Sequence, residues 1–83
     1  MQTSRPTPDE KPFRIYAPGS LGTAIRHYRH EAGLTQAELA ERTGLNRTYL
    51  SALEHGVETE QLRRLFRLLK QLGVRMSLDK ADW

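Results

Sequence analysis

Apolar residues recur at helical spacing in four stretches of this chain and at strand spacing in one. Leu21, Ala24, Ile25, Tyr28 and Ala32 fall on one stripe, with Arg26, His27, Arg29 and His30 off it, which predicts a helix from a Ser20 cap to Ala32. Gly33 suits the left-handed position just past its end. Thr35 and Glu38 have the spacing of a capping box, in which the hydroxyl and the carboxylate each take a backbone N–H of the first turn. The second helix carries Ala37, Leu39 and Ala40 on its apolar face, and Ala40 is small where another helix must cross. Gly44 reverses the chain, Leu45 is expected as a buried plug, and Asn46 caps a third helix whose inner face holds Leu50 and Leu53. A fourth helix is predicted from the Thr59 cap to Leu72, helped by Glu60 in its first turn and ended by Gly73. Leu62, Leu65, Phe66, Leu69 and Leu72 share one face of it, Leu68 lies at the edge, and Arg63, Arg64, Arg67 and Lys70 cover the opposite face.

At Val74 the period drops to two: Val74, Met76 and Leu78 point one way, Arg75 and Ser77 the other, which predicts a strand over Val74–Leu78. A lone strand leaves its backbone groups unpaired. Phe13–Tyr16, a short segment of β-branched and aromatic character before Pro18-Gly19, is one partner, but a ribbon of two such strands is marginal in water. The other partner is the same strand of a second copy, paired antiparallel across a two-fold axis. That arrangement would lay Val74, Met76 and Leu78 of both chains over the fourth helices, where Leu68 and Leu72 supply an apolar floor, so these five residues are the expected dimer contacts. Residues 1–12, with Pro6, Pro8 and Pro12, are expected as a mobile tail, 13–78 as the single domain, and 79–83 as a polar tail. Trp83 at its end is either disordered or an anchor in a partner's pocket.

Charge and composition narrow the function by exclusion. The 83 residues carry a formal net charge of +3 and a pI near 9.7, which permits nucleic-acid binding without requiring it. The chain has no cysteine, which excludes disulfides, thiol catalysis and thiolate-bound zinc. No apolar run approaches the roughly 20 residues of a membrane span, and no secretory h-region opens the sequence, so a cytoplasmic, nucleoid-associated protein is expected. His27 and His30 stand three apart but have no third ligand near them in sequence, so no metal and no cofactor are expected. No G-x-S-x-G nucleophile turn and no glycine-rich phosphate loop occurs, and an enzyme is not expected. The basic face of the fourth helix is either a solvated face or a place where Arg63 and Arg64 meet phosphates or an acidic protein.

The chemistry concentrates between Gln36 and His55. With Leu50 and Leu53 turned inward, the third helix presents Arg47, Thr48, Tyr49 and Ser51 outward, groups that bond base edges and phosphates. Tyr49 has two readings, a core residue leaning on the first helix or a groove reader. Small Ala40, Gly44, and Leu39, Leu45, Leu50 and Leu53 at their spacing, flanked by Gly33-Leu34-Thr35-Gln36 and Leu53-Glu54-His55-Gly56, resemble the helix-turn-helix of the lambda-repressor and Cro-like (Xre) family. The resemblance implies a mainly all-α bundle of four to five helices, with the short C-terminal β-strand pairing across a dimer. Arg14–Pro18, the Leu65–Lys70 run and Met76-Ser77-Leu78 are further similar to the HipB-type antitoxins. That similarity implies a homodimeric autorepressor on a palindromic operator of double-stranded DNA, holding a HipA-like kinase toxin. The helix-turn-helix resemblance also implies that Arg29 and Glu54 form an ion pair, and that Gln36 grips a phosphate at the start of the second helix. Thr35, Gln36, Asn46, Arg47, Thr48, Tyr49 and Ser51 are the candidate DNA-contacting set, with Arg47 the candidate for guanine O6/N7. The competing readings are a phage-type or restriction-controller regulator without a toxin, and a protein-interaction module.

Overall fold

The computed structural model describes residues 12–81. The expected N-terminal tail, as far as residue 11, and Trp83 lie outside them. The order is β1 (Phe13–Ile15), α1 (Pro18–Glu31), α2 (Gln36–Thr43), α3 (Arg47–Glu54), α4 (Glu60–Leu72) and β2 (Met76–Leu78).

Helix α1 starts three residues earlier than its sequence suggests. Ala17 is the extended cap residue and Pro18 takes the first helical position, where a missing N–H leaves nothing unpaired. Ser20 works from inside the first turn: its Oγ accepts from Tyr16 N at 2.8 Å and Ala17 N at 3.1 Å. The other starts follow the capping rules. Thr35 Oγ1 accepts from Glu38 N at 3.1 Å while Glu38 Oε1 accepts from Thr35 N at 2.8 Å. Asn46 Oδ1 takes Thr48 N at 2.7 Å, and Thr59 Oγ1 takes Leu62 N at 3.2 Å. Gly44 turns the chain at φ +73°, in the left-handed region where a side chain is strained.

Ile15, Ala24 and Phe66 form the buried centre, joined by Phe13, Leu21, Tyr28, Leu62, Leu69, Met76 and Leu78. Helix α1 crosses α3 at Gly22, where a Cβ would run into the carbonyl oxygen of Leu53. Apolar expectations fail on α4 at Leu65 and Leu72, both exposed, and at three positions nearer the N-terminus. Leu45 is 49% exposed rather than a plug, because the Gly44 turn stands at the surface. Ala37 and Ala32 are exposed too, the first in the opening turn of α2 and the second as the C-terminal cap of α1.

The C-terminal strand has its partner within the chain. β2 pairs antiparallel with β1 in the register Phe13↔Leu78, Arg14↔Ser77, Ile15↔Met76. The ribbon is not left to its own marginal stability: one face packs Ile15, Phe13, Met76 and Leu78 onto α1 and α4, and Tyr28 Oη donates to Leu78 O at 3.1 Å. Val74 falls outside the strand and is exposed, as are Leu68 (60%) and Leu72 (70%), so they do not floor it within the chain.

Candidate nucleic-acid interface

The start of α2 and the outer face of α3 enclose one groove of about 440 Å³, lined by Gln36, Arg47, Thr48, Ser51, Ala52, His55 and Val57. Two local facts build it. The Asn46 cap begins α3 so that Leu50 and Glu54, four apart, turn into the protein. Arg47, Thr48 and Ser51 are then carried to the other side, with Arg47 and Thr48 exposed in the first turn and Ser51 half-buried.

Each candidate residue has a distinct place. Thr35 spends its hydroxyl lone pair on Glu38 N, and Asn46 spends Oδ1 on Thr48 N, so both act first as caps. The capping box holds the Glu38 carboxyl below the usual carboxylate range, through the Thr35 N–H first and the Thr35 hydroxyl second. It also occupies the Thr35 and Glu38 N–H groups, leaving those of Gln36 and Ala37 at the tip of α2 for an anion. Of its two readings, Tyr49 does not take the core one. It is exposed, and it lines a separate, mainly apolar trough of about 560 Å³ between α3 and α4, with Ala52, Val57, Leu62 and Leu65.

Behind the groove lies a charged core. Arg29 Nε donates to Glu54 Oε2 at 2.6 Å and Nη2 donates to Oε1 at 2.9 Å, a two-bond fork between side chains only 8% and 1% exposed. Arg29 Nη1 donates to Leu34 O at 2.8 Å, and Gln36 Nε2 to Glu54 Oε1 at 3.1 Å. The Arg29 bond holds the Glu54 carboxyl below the usual range. Burial opposes this, and the Gln36 bond and the charges of Arg29 and Arg26 assist it. Arg29 is correspondingly pushed up by the same bond. His27 and His30 have other neighbours: His27 Nε2 is 3.5 Å from Glu31 Oε2, and His30 Nε2 is 3.4 Å from Arg29 Nη2. Among the described residues no three side chains are grouped to hold a metal, and no helix is long and apolar enough to cross a membrane.

A family model described as helix-turn-helix matches residues 25–78, from the middle of α1 through β2. The chain belongs to the helix-turn-helix family. Among curated relatives it is similar to Antitoxin HipB of Escherichia coli K12, 32% identical over 68 residues that span 82% of this chain and 77% of that one. It is 47% identical over 53 residues to an uncharacterized HTH-type transcriptional regulator of Methanothermobacter thermautotrophicus, covering 64% of this chain and 77% of that one. The regulator SinR of Bacillus subtilis is 41% identical over 39 residues, 47% of this chain and 35% of its own. No solved structure matches the chain significantly. In this helix-turn-helix, sequence reasoning passed over His55. It closes the ridge Arg47, Ser51, His55 at intervals of four, a spacing that was legible. Its Nδ1 lies 2.8 Å from Ser51 O, and a carbonyl only accepts, so a hydrogen bond there needs the proton on Nδ1.

Proposed function

We propose that the protein is a sequence-specific repressor that binds a palindromic operator as a homodimer, with the reading helices entering successive major grooves roughly 34–36 Å apart. The observation that carries this is the single groove uniting the tip of α2 with the polar ridge of α3. Arg47 would fork onto guanine O6/N7, Thr48 and Ser51 would bond neighbouring base edges, and Gln36 would grip a phosphate. Asn46 still has its amide NH₂ to offer the DNA, and Thr35 stands beside the anion-binding tip of α2. The polar readers speak against a pure protein-interaction module, which would have no use for them.

Support for a dimer is the apolar flank of Leu68, Leu72 and Val74, which the fold leaves exposed. The outer edge of β2 offers further pairing to a mate. Operator selection from random DNA at moderate salt should return one enriched inverted repeat. Arg47→Ala should relax one base position in each half-site, and Gln36→Ala should weaken binding evenly over all sequences. No enrichment would refute the reading.

Similarity to HipB supports a finer one: the antitoxin of a HipBA-like pair, acting in the cytoplasm on the nucleoid, repressing its own operon and holding a HipA-like kinase toxin. Co-expression with the product of the adjacent gene should give a stable complex, and no kinase-like neighbour or no complex would remove this part alone. The 47% identity to a relative named only as a regulator favours the second reading, a free-standing regulator without a toxin.

A further inference from the structure

Gln36 does not wait for DNA in a disordered state: its Nε2 already donates to Glu54 Oε1 at 3.1 Å. An amide nitrogen has two hydrogens, so this bond leaves one for an acceptor outside the protein. The acceptor it uses cannot move, since the Glu54 side chain is 1% exposed and held by two bonds from Arg29. The same guanidinium clamps Leu34 O, one residue before the Thr35 cap, so it also fixes the chain that leads into α2.

A carboxylate behind a phosphate-binding residue would ordinarily repel the phosphate. Here the fork from Arg29 cancels that charge, so Glu54 can serve as an anchor without opposing the DNA. A glutamine left loose at a helix tip would lose rotamer freedom on gripping a phosphate, and Glu54 has removed that freedom beforehand.

We infer that Glu54, locked by Arg29, is a positioning residue for the DNA contact of Gln36, holding one Nε2–H so that the other meets a backbone phosphate. This rests on the DNA-binding reading above. The ion pair therefore sets operator affinity as well as the packing of α1 on α3.

The test replaces the pair with apolar residues of similar size, Arg29→Met with Glu54→Leu, an exchange that often leaves stability unharmed. The double variant should melt close to the intact protein yet bind the operator roughly ten-fold more weakly, the scale of one hydrogen bond to a charged group. Gln36→Ala should weaken binding by the same factor, and adding the double change to it should weaken binding no further. A merely structural role would not move the next readout. With single operator phosphates made neutral as methylphosphonates, the intact protein should lose affinity at one phosphate per half-site to which Gln36→Ala and the double variant are both indifferent. Full affinity in the double variant, or additive losses with Gln36→Ala, would overturn the inference while leaving the DNA-binding reading standing. An intact protein that selects no operator overturns both. Should the double variant not fold, the side-chain amide signals of Gln36 in the intact protein decide. One slowly exchanging proton, and a second that shifts when operator is added, support the anchor, and two protons that both exchange as fast as in a free side chain refute it.

Discussion

Gly22 has less room than any other glycine in the described part of the chain, because the space for its missing side chain is filled by the backbone oxygen of Leu53. Backbone cannot swing aside as a side chain can, so Gly22→Ala must push α1 off α3. The expected loss is about 3 kcal/mol or more, read from urea unfolding, against a gain in helix propensity of at most about 1 kcal/mol. A variant as stable as the parent would mean the helices separate there at no cost. Glu54 supports a prediction with a definite sign. Its folded pKa is depressed, so its contribution is complete above the unfolded carboxylate value of about 4.3 and drains as pH falls through the lower folded value. Glu54→Gln should lower the urea midpoint at neutral pH and flatten its fall on the acid side. An acid limb as steep as the parent's would assign that limb to other carboxylates. Arg29→Met alone should cost about 3–5 kcal/mol, because it strands a buried carboxylate.

Among the elements, α2 and α3 were the most legible. Their caps are local: Thr35 with Glu38, and Asn46 with the N–H groups two and three residues on, are set by chain positions a turn apart. Once Asn46 fixes where α3 begins and Leu50 fixes which side is inner, the outward face of Arg47 and Thr48 follows from helical period alone. Asn46→Ala should therefore cost about 1 kcal/mol of stability, seen in thermal or urea unfolding, before any effect on binding is considered. Tyr49 was not legible, since its surroundings depend on how the first turn of α4 lies against α3, a tertiary relation that no local pattern encodes. The same holds for Gly22, which reads in sequence only as a weak point of a helix, and for the choice between the two partners open to the C-terminal strand, which strands of three residues are too short to decide. Tyr28 Oη ties that ribbon to α1. Tyr28→Phe should loosen it, with faster amide exchange in β2 and about 1 kcal/mol less stability. Unchanged exchange would show that the packing of Ile15 and Met76 alone holds the strands.

For the molecule as a whole, the in-chain pairing of β2 changes how a dimer must be tested. Removing Val74–Trp83 would take Met76 and Leu78 out of the monomer's own core, so loss of the dimer could not be separated from unfolding. Leu68 and Leu72 are exposed on α4, and changing both to Glu should leave the monomer folded while light scattering shows it no longer pairs. A doubly substituted protein that stayed dimeric would place the interface elsewhere. The ribbon has a second consequence, in time rather than in space. Ile15, the most enclosed large side chain, is covered by a strand that begins at residue 76, so the centre of the molecule closes only when nearly the whole described chain has been synthesised. The helical contacts nearer in sequence carry a smaller loop-closure cost and are expected to form first, with the two ends meeting last. Substitutions at Ile15 or Met76 should then mainly speed unfolding, and substitutions at the α1–α3 crossing mainly slow folding. Until its last strand emerges, a growing chain of this protein has helices but no lid, and the side chains that will line its interior are open to any chaperone or protease that reaches them first.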